Sequence, residues 1–274
     1  MNQARRTGNP HIRVGIGGWT YEPWRDNFYP AGLVHRRELE YASAHLRAIE
    51  INGTFYRAQK PATYASWAAQ TPDGFVFSLK APRYITATRQ LDKSGKGMHA
   101  FIHGGLAELG DRLGPILWQL PPNREFDADE LAGFLDALPR ELDGQPLRHV
   151  LEVRHASFNC ADYVALARER QVATVFTDSP VYPSIADRTA DFIYARLMRS
   201  ADEEPTGYSS AALTRWAAHA RDWAAGKDIA ELPHAATVQR AGPARDVFIY
   251  FISAAKHRNP AAAMALQERV DAMR

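Results

Sequence analysis

Eight short, nearly unbroken apolar runs recur along a chain of 274 residues, with helix-period or turn-rich segments between them. They are RVGIGGW (13–19), AIEINGTF (48–55), GFVFSLKA (74–81), GPILWQLP (114–121), HVLEVRH (149–155), VATVFTDS (172–179), DFIYARLM (191–198) and DVFIYFIS (246–253). A strand with one wet face alternates apolar and polar residues, whereas a strand covered on both faces is apolar throughout. The runs are of the second kind and predict parallel strands beneath helices. Several connecting segments are amphipathic: Leu39, Ala42 and Leu46 share one stripe, Leu131, Phe134, Leu135 and Leu138 another, and Leu213, Trp216, Ala217 and Ala220 a third. Asp127 and Ser209 or Ser210 stand where N-caps belong, and Asn259–Pro260 reads as an N-cap followed by proline at the first helical position.

Eight βα units in a chain of this length favour a single-domain (β/α)8 TIM-type barrel over a doubly wound open sheet. Residues 1–12 read as a flexible tail. An apolar fraction of 46% and a charged fraction of 23% fit a globular protein, and a net charge of +2 argues against duplex nucleic acid or an anionic membrane as the main partner. One cysteine, Cys160, excludes an intrachain disulfide framework and a multi-cysteine metal site. Arg5 and Arg6 precede no apolar signal region, and no stretch reaches the roughly 20 apolar residues of a membrane helix. A cytoplasmic protein is expected.

Polar residues interrupt the strands at a period of two, which places them on one face. Glu50 and Asn52 share a face, as do Glu152 and Arg154, while Ile49, Ile51, Leu151 and Val153 take the other. Lys80, Gln119, Asp178 and Arg196 fall near the ends of the third, fourth, sixth and seventh runs. In a barrel these side chains converge at the mouth, where such folds build their sites. A self-neutralising network filling the mouth is the structural alternative, since the set holds three carboxylates and three cations. Two carboxylates with different cationic neighbours can divide acid and base roles, so Glu152 and Glu50 are candidate catalytic groups. Lys80 is the third: it could bind an oxyanion or form a Schiff base. Asn52, Gln119, Arg154, Asp178 and Arg196 are candidate substrate-binding groups. His155 could line the rim, and a divalent metal on Glu50, Glu152, Asp178 and His155 has suitable ligand types but no supporting motif spacing. No metal or other cofactor is predicted. Lys256 and Arg258, just before the last helix, could grip an anion or phosphate, and Trp19 and Tyr21 could form an aromatic wall. The glycines of GIGGW lack a dinucleotide fingerprint and suggest close backbone approach at the mouth.

The segments VGIGGWTYEPWRDNFYP, EINGTFYRAQKPATYASWAAQTP, FVFSLKAPRYIT, LGPILWQLPP, LEVRHASF and YFISAAKHRNPAAAMAL together resemble the YecE-like family of unknown function. The resemblance spans roughly residues 13 to 270 and implies a TIM-type barrel, with no reaction or cofactor attached. It adds Tyr56 to the candidate positions. Two departures stand out: Met198 and Arg199 replace a His-Gly pair after Arg196–Leu197, and Ile252 and Ser253 replace paired Asn residues. The combined expectation is a barrel enzyme acting on a small anionic, hydroxylated molecule, with or without a phosphate. The alternatives are a non-catalytic metabolite-binding barrel and a nucleic-acid-processing one.

Overall fold

The computed structural model describes Asn9 and residues 11–272. Each apolar run forms a strand: β1 (Ile12–Gly17), β2 (Ala48–Ile51), β3 (Val76–Lys80), β4 (Leu113–Gln119), β5 (His149–Glu152), β6 (Ala173–Thr177), β7 (Phe192–Leu197) and β8 (Asp246–Phe251). All eight are parallel, each pairs with its sequence neighbours, and β1 closes the barrel on β8 from Ile12–Val247 to Ile16–Phe251. Of the expected tail, residues 1–8 and Pro10 lie outside the described residues. His11 is tied to the barrel through its carbonyl oxygen, which accepts from Val247 N at 2.7 Å, and Ile12 already belongs to β1.

The helices are α1 (Glu38–His45), α2 (Gly53–Tyr56), α3 (Pro61–Ala69), α4 (Arg83–Thr86), α5 (Gly95–Ile102), α6 (Ala128–Asp136), α7 (Ala161–Glu169), α8 (Ser210–Ala224) and α9 (Asn259–Ala272). Asp127 caps α6 by accepting from Glu130 N at 2.9 Å, and Ser209 caps α8 by accepting from Ala212 N at 3.2 Å. Asn259 does not cap α9. A short 3-10 turn, Lys256–Arg258, leads directly into that helix, and the Asn259 amide instead bridges two loops, bonding Ser200 Oγ at 2.8 Å and Ser253 O at 3.2 Å. A two-stranded hairpin, Glu141–Leu142 with Gln145–Pro146, precedes β5. Its Asp143 and Gly144 both adopt positive φ, the conformation that an Asp-Gly hairpin turn requires.

Two apolar layers follow from the strand alternation. Ile49, Leu79, Trp118, Leu151 and Ile249 point outward into a continuous layer with Leu39, Phe134, Leu135 and Leu213 from the helices. Ala48, Val76, Leu117, Val150, Phe192, Tyr194, Phe248 and Tyr250 point inward and fill the barrel. The interior is therefore a packed core with a polar layer above it, and each large side chain buried there contributes about 1.5–3 kcal/mol relative to exposure.

Gly15 is needed because the strands approach closely: a Cβ there would lie 2.0 Å from Ala48 O. Gly15→Ala is predicted to cost about 3 kcal/mol or more in urea denaturation. Gly53→Ala, whose Cβ would meet nothing within 4 Å, should be close to neutral in the same measurement.

Candidate active site at the barrel mouth

The strand register stacks polar side chains at the C-terminal end of the barrel. Glu50 is wholly buried on β2, Glu152 on β5 and Arg196 on β7 are 2% exposed, and all three sit above the Tyr194 and Tyr250 rings. The Arg196 guanidinium spans the barrel, with Nη2 on Glu50 Oε1 at 3.0 Å and Nη1 on Glu152 Oε2 at 2.7 Å. Tyr194 OH donates to the other Glu50 oxygen at 2.7 Å, and Ser78 pairs with Tyr250 at 2.6 Å beside it. Gln119 Nε2 donates to Glu152 at 2.5 Å, and Arg154 supplies Nε and Nη2 to Glu152 Oε1 at 3.3 and 3.1 Å. Glu152 thus accepts from three side chains.

These partners decide the charge states. Burial would raise the Glu152 pKa, but Arg196 and Arg154, with Gln119, outweigh it and hold the carboxyl down at about 2. For Arg196 the carboxylates outweigh burial and push its pKa above the already high arginine range. Lys80 goes the other way. Burial and the Arg196 charge lower its ammonium to about 8, against the opposing pull of Glu50 and Glu152. Its Nζ lies 3.9 Å from the Phe55 ring centroid, and among the described residues no hydrogen bond or ion pair holds it.

Above this layer opens a cavity of about 710 Å3. Lys80, Arg154, Arg196 and Lys256 line it, Asn52, Gln59 and Gln119 add amides, and no carboxylate is among the described lining residues. Trp19, Phe55, Tyr56 and Trp67 supply aromatic faces, with Trp19 packed edge-on to Trp67 at 5.1 Å and Tyr56 75% exposed at the rim. Gly17 admits the Asn52 amide, since a Cβ there would lie 2.8 Å from Asn52 Nδ2. The loops after β1, β2 and β8 dominate the lining, and the two long connections after β3 and β7 contribute nothing to it.

The candidate residues divide accordingly. Trp19, Asn52, Tyr56, Lys80, Gln119, Arg154, Arg196 and Lys256 meet at the cavity, whereas Glu50 and Glu152 lie beneath its floor. Four others are engaged elsewhere. Asp178 accepts from Met198 N at 2.6 Å and Tyr208 OH at 2.8 Å, holding β6 to the β7 loop. His155 Nδ1 bonds Ser157 Oγ at 2.9 Å and caps the turn after β5. The Arg258 guanidinium folds onto Asp202 O at 3.2 Å, so the expected anion grip before α9 retains only Lys256. Tyr21 packs under Lys256, whose Nζ is 4.3 Å from its ring centroid. Phe55, Gln59, Trp67 and Tyr194 were not expected from the sequence; Tyr194, polar and inside a strand, carried a signal that could have found it, whereas Gln59 and Trp67 lie well beyond β2. Met198 and Ile252 pack against the interior apolar cluster, and Ser253 adopts a left-handed φ of 62° at the cavity edge. Among the described residues no group of three or more His, Cys, Asp or Glu side chains is placed to hold a metal, and no helix is long and apolar enough to cross a membrane.

A second cavity, of about 530 Å3, lies at the opposite end of the barrel and is lined by His11, Arg148, Arg168, Arg188, Arg245 and Asp246 among others. There every arginine has a carboxylate within 3.6 Å: Arg148 has Asp246, Arg168 has Asp187, and Arg188 and Arg245 share Asp228.

Residues 13–274 match the family model described as "Protein of unknown function DUF72". The chain belongs to this family. The resemblance read from its motifs, a barrel family of unknown function, is thereby upheld. The DUF72 relatives include the UPF0759 protein YunF of Bacillus subtilis strain 168, 27% identical over 116 residues, a match covering 40% of either chain. A DUF72 family protein from Thermotoga maritima MSB8 superposes with a TM-score of 0.70 at 20% identity, covering 93% of this chain and 96% of that one. One from Enterococcus faecalis V583 gives 0.68 at 13% identity, covering 96% of each. At these identities the likeness to solved DUF72 structures establishes the barrel and leaves the chemistry to the site itself.

Removing the central cation tests the floor. Arg196→Met should destabilise by about 3–5 kcal/mol in urea, because it leaves the buried Glu50 carboxylate with no cation and Glu152 with Arg154 alone. The Glu152 contribution is complete above its unfolded pKa of about 4.5 and is lost as pH falls toward 2. The Arg196→Met deficit should therefore shrink in acid, as the Glu152 carboxyl takes up its proton.

Proposed function

We propose that the mouth cavity takes a small anionic, hydroxylated molecule and that the chain is an enzyme acting on it by proton transfer. The observation that carries this reading is the sign of the lining: among the described residues it holds four cations and no carboxylate, with amides that suit hydroxyl or carbonyl oxygens. The buried carboxylates would fix Arg196 in place rather than meet the ligand. A carboxylate held near pKa 2 is a poor base at neutral pH, so in this reading proton transfer falls to Lys80, whose pKa of about 8 matches the task. Trp19, Phe55, Tyr56 and Trp67 would cover the apolar part of the ligand and exclude water.

One observation favours a second reading, a binding protein without turnover. Glu50 and Glu152 are already committed to Arg196, and among the described residues no carboxylate lines the cavity. Loss of substrate from a pool of sugar phosphates and hydroxy acids, followed by mass spectrometry, separates the two. Turnover abolished by Lys80→Met supports the enzyme, and binding without turnover supports the alternative.

Calorimetry with citrate and inorganic phosphate tests the cavity itself. Affinity should fall as pH rises through 8, because Lys80 gives up its charge, and should drop at least tenfold in Arg154→Ala. Lys80→Met should bind more weakly below pH 8 and lose that pH step. It should also be more stable than the native chain by about 1–3 kcal/mol at pH 7, because it removes a buried, poorly compensated ammonium. Equal affinity in all three proteins would refute the proposed site.

A further inference from the structure

We propose that Lys80 is a covalent site, forming an imine with a small carbonyl compound that carries a carboxylate or phosphate. This rests on the reading of the cavity as an anion site and goes beyond it by assigning a bond. Three observations support it. Lys80 projects from the C-terminal end of β3 into the cavity, with Nζ against the Phe55 ring and with no hydrogen bond or ion pair among the described residues. The carboxylates that could have held it as an ammonium are taken by guanidiniums, Glu50 by Arg196 and Glu152 by Arg196 and Arg154. Two other cationic side chains, Arg154 and Lys256, line the cavity and would take the anionic end. Only six of the 33 Lys and Arg residues in the chain are lysine, and two of them, Lys80 and Lys256, line this cavity.

The step balances without a further reagent. The neutral Nζ lone pair attacks the carbonyl carbon, the C–N bond forms as the carbonyl π bond breaks, and the oxygen takes a proton that leaves nitrogen through water. The carbinolamine hydroxyl then takes a second proton from water and leaves as water while the nitrogen lone pair forms the C=N bond, giving the protonated imine. Gln119 and Asn52 stand at the cavity to hold the carbonyl oxygen, and the lowered Lys80 pKa supplies the neutral amine near pH 8.

Trapping with sodium cyanoborohydride tests this on the full chain with pyruvate, glyoxylate and glyceraldehyde 3-phosphate as probes and acetaldehyde as the uncharged comparison. Hydride reduces an imine to a stable secondary amine that peptide mapping locates. The expected result, for at least one anionic probe, is a single adduct on Lys80 formed at least tenfold faster than on Lys60, Lys93, Lys96 or Lys227. It should be absent in Lys80→Arg and slower with acetaldehyde. Thermal unfolding of Lys80→Arg, which keeps the charge, checks that the variant is folded; if it is not, competition of phosphate with adduct formation in the native chain gives the same answer. Adducts spread evenly over the lysines, an adduct confined to Lys256, or no adduct while phosphate still binds would each overturn the imine and leave the anion site standing. No adduct together with no anion binding would overturn both.

Discussion

The guanidinium of Arg196, clamped between Glu50 and Glu152, is the interaction on which the barrel mouth depends. A cation and two carboxylates from three strands lie out of water, at separations of 2.7 and 3.0 Å. Isolated burial of any one of them would cost several kcal/mol, so each requires the others in place. Apolar residues of similar volume would be at least as stabilising, which makes the cluster hard to explain by stability alone. Its consequence is directional: the negative charge is spent beneath the floor, and what remains facing the cavity is positive.

That layer rests on an apolar one. The Tyr194 and Tyr250 rings lie 5.1 Å apart inside the barrel, with Phe192 and Phe248 beneath them. Tyr194 OH gives Glu50 its second donor, and burial with the Glu50 charge pushes the phenol pKa well above its usual value, so it remains a donor. The transition from aromatic core to ionic floor to open cavity occupies a single alternation of inward-facing residues, and it happens at the end where (β/α)8 barrels carry their chemistry. At the other end the four arginines that line the second cavity meet three carboxylates, Asp187, Asp228 and Asp246.

Much of this was legible in the sequence. Strands covered on both faces are apolar throughout, so all eight could be located; a period of two set Glu50 with Asn52 and Glu152 with Arg154, and position near the strand ends pointed to Lys80, Gln119 and Arg196. What the period could not supply was depth: it does not distinguish a carboxylate under the floor from an amine at the surface of the cavity. Nor could it find partners distant in sequence. Asp178 looked like a mouth residue until Tyr208 and the Met198 amide were seen to hold it, and Arg258 looked like an anion grip until it was found on the Asp202 carbonyl. Phe55 and Trp67 reach the cavity because of how the segment after β2 folds back, which local pattern does not encode. At Met198 and Ile252, where the resemblance implied a His and an Asn, apolar side chains extend the interior cluster.

The central claim, that the barrel mouth is a built anion site, is tested most directly by a crystal structure grown from malonate. The account predicts a malonate carboxylate within hydrogen-bond distance of Lys80 and Arg154, with the Arg196 clamp unchanged beneath it. An empty mouth with malonate seated instead among Arg148, Arg188 and Arg245 at the opposite end would contradict it.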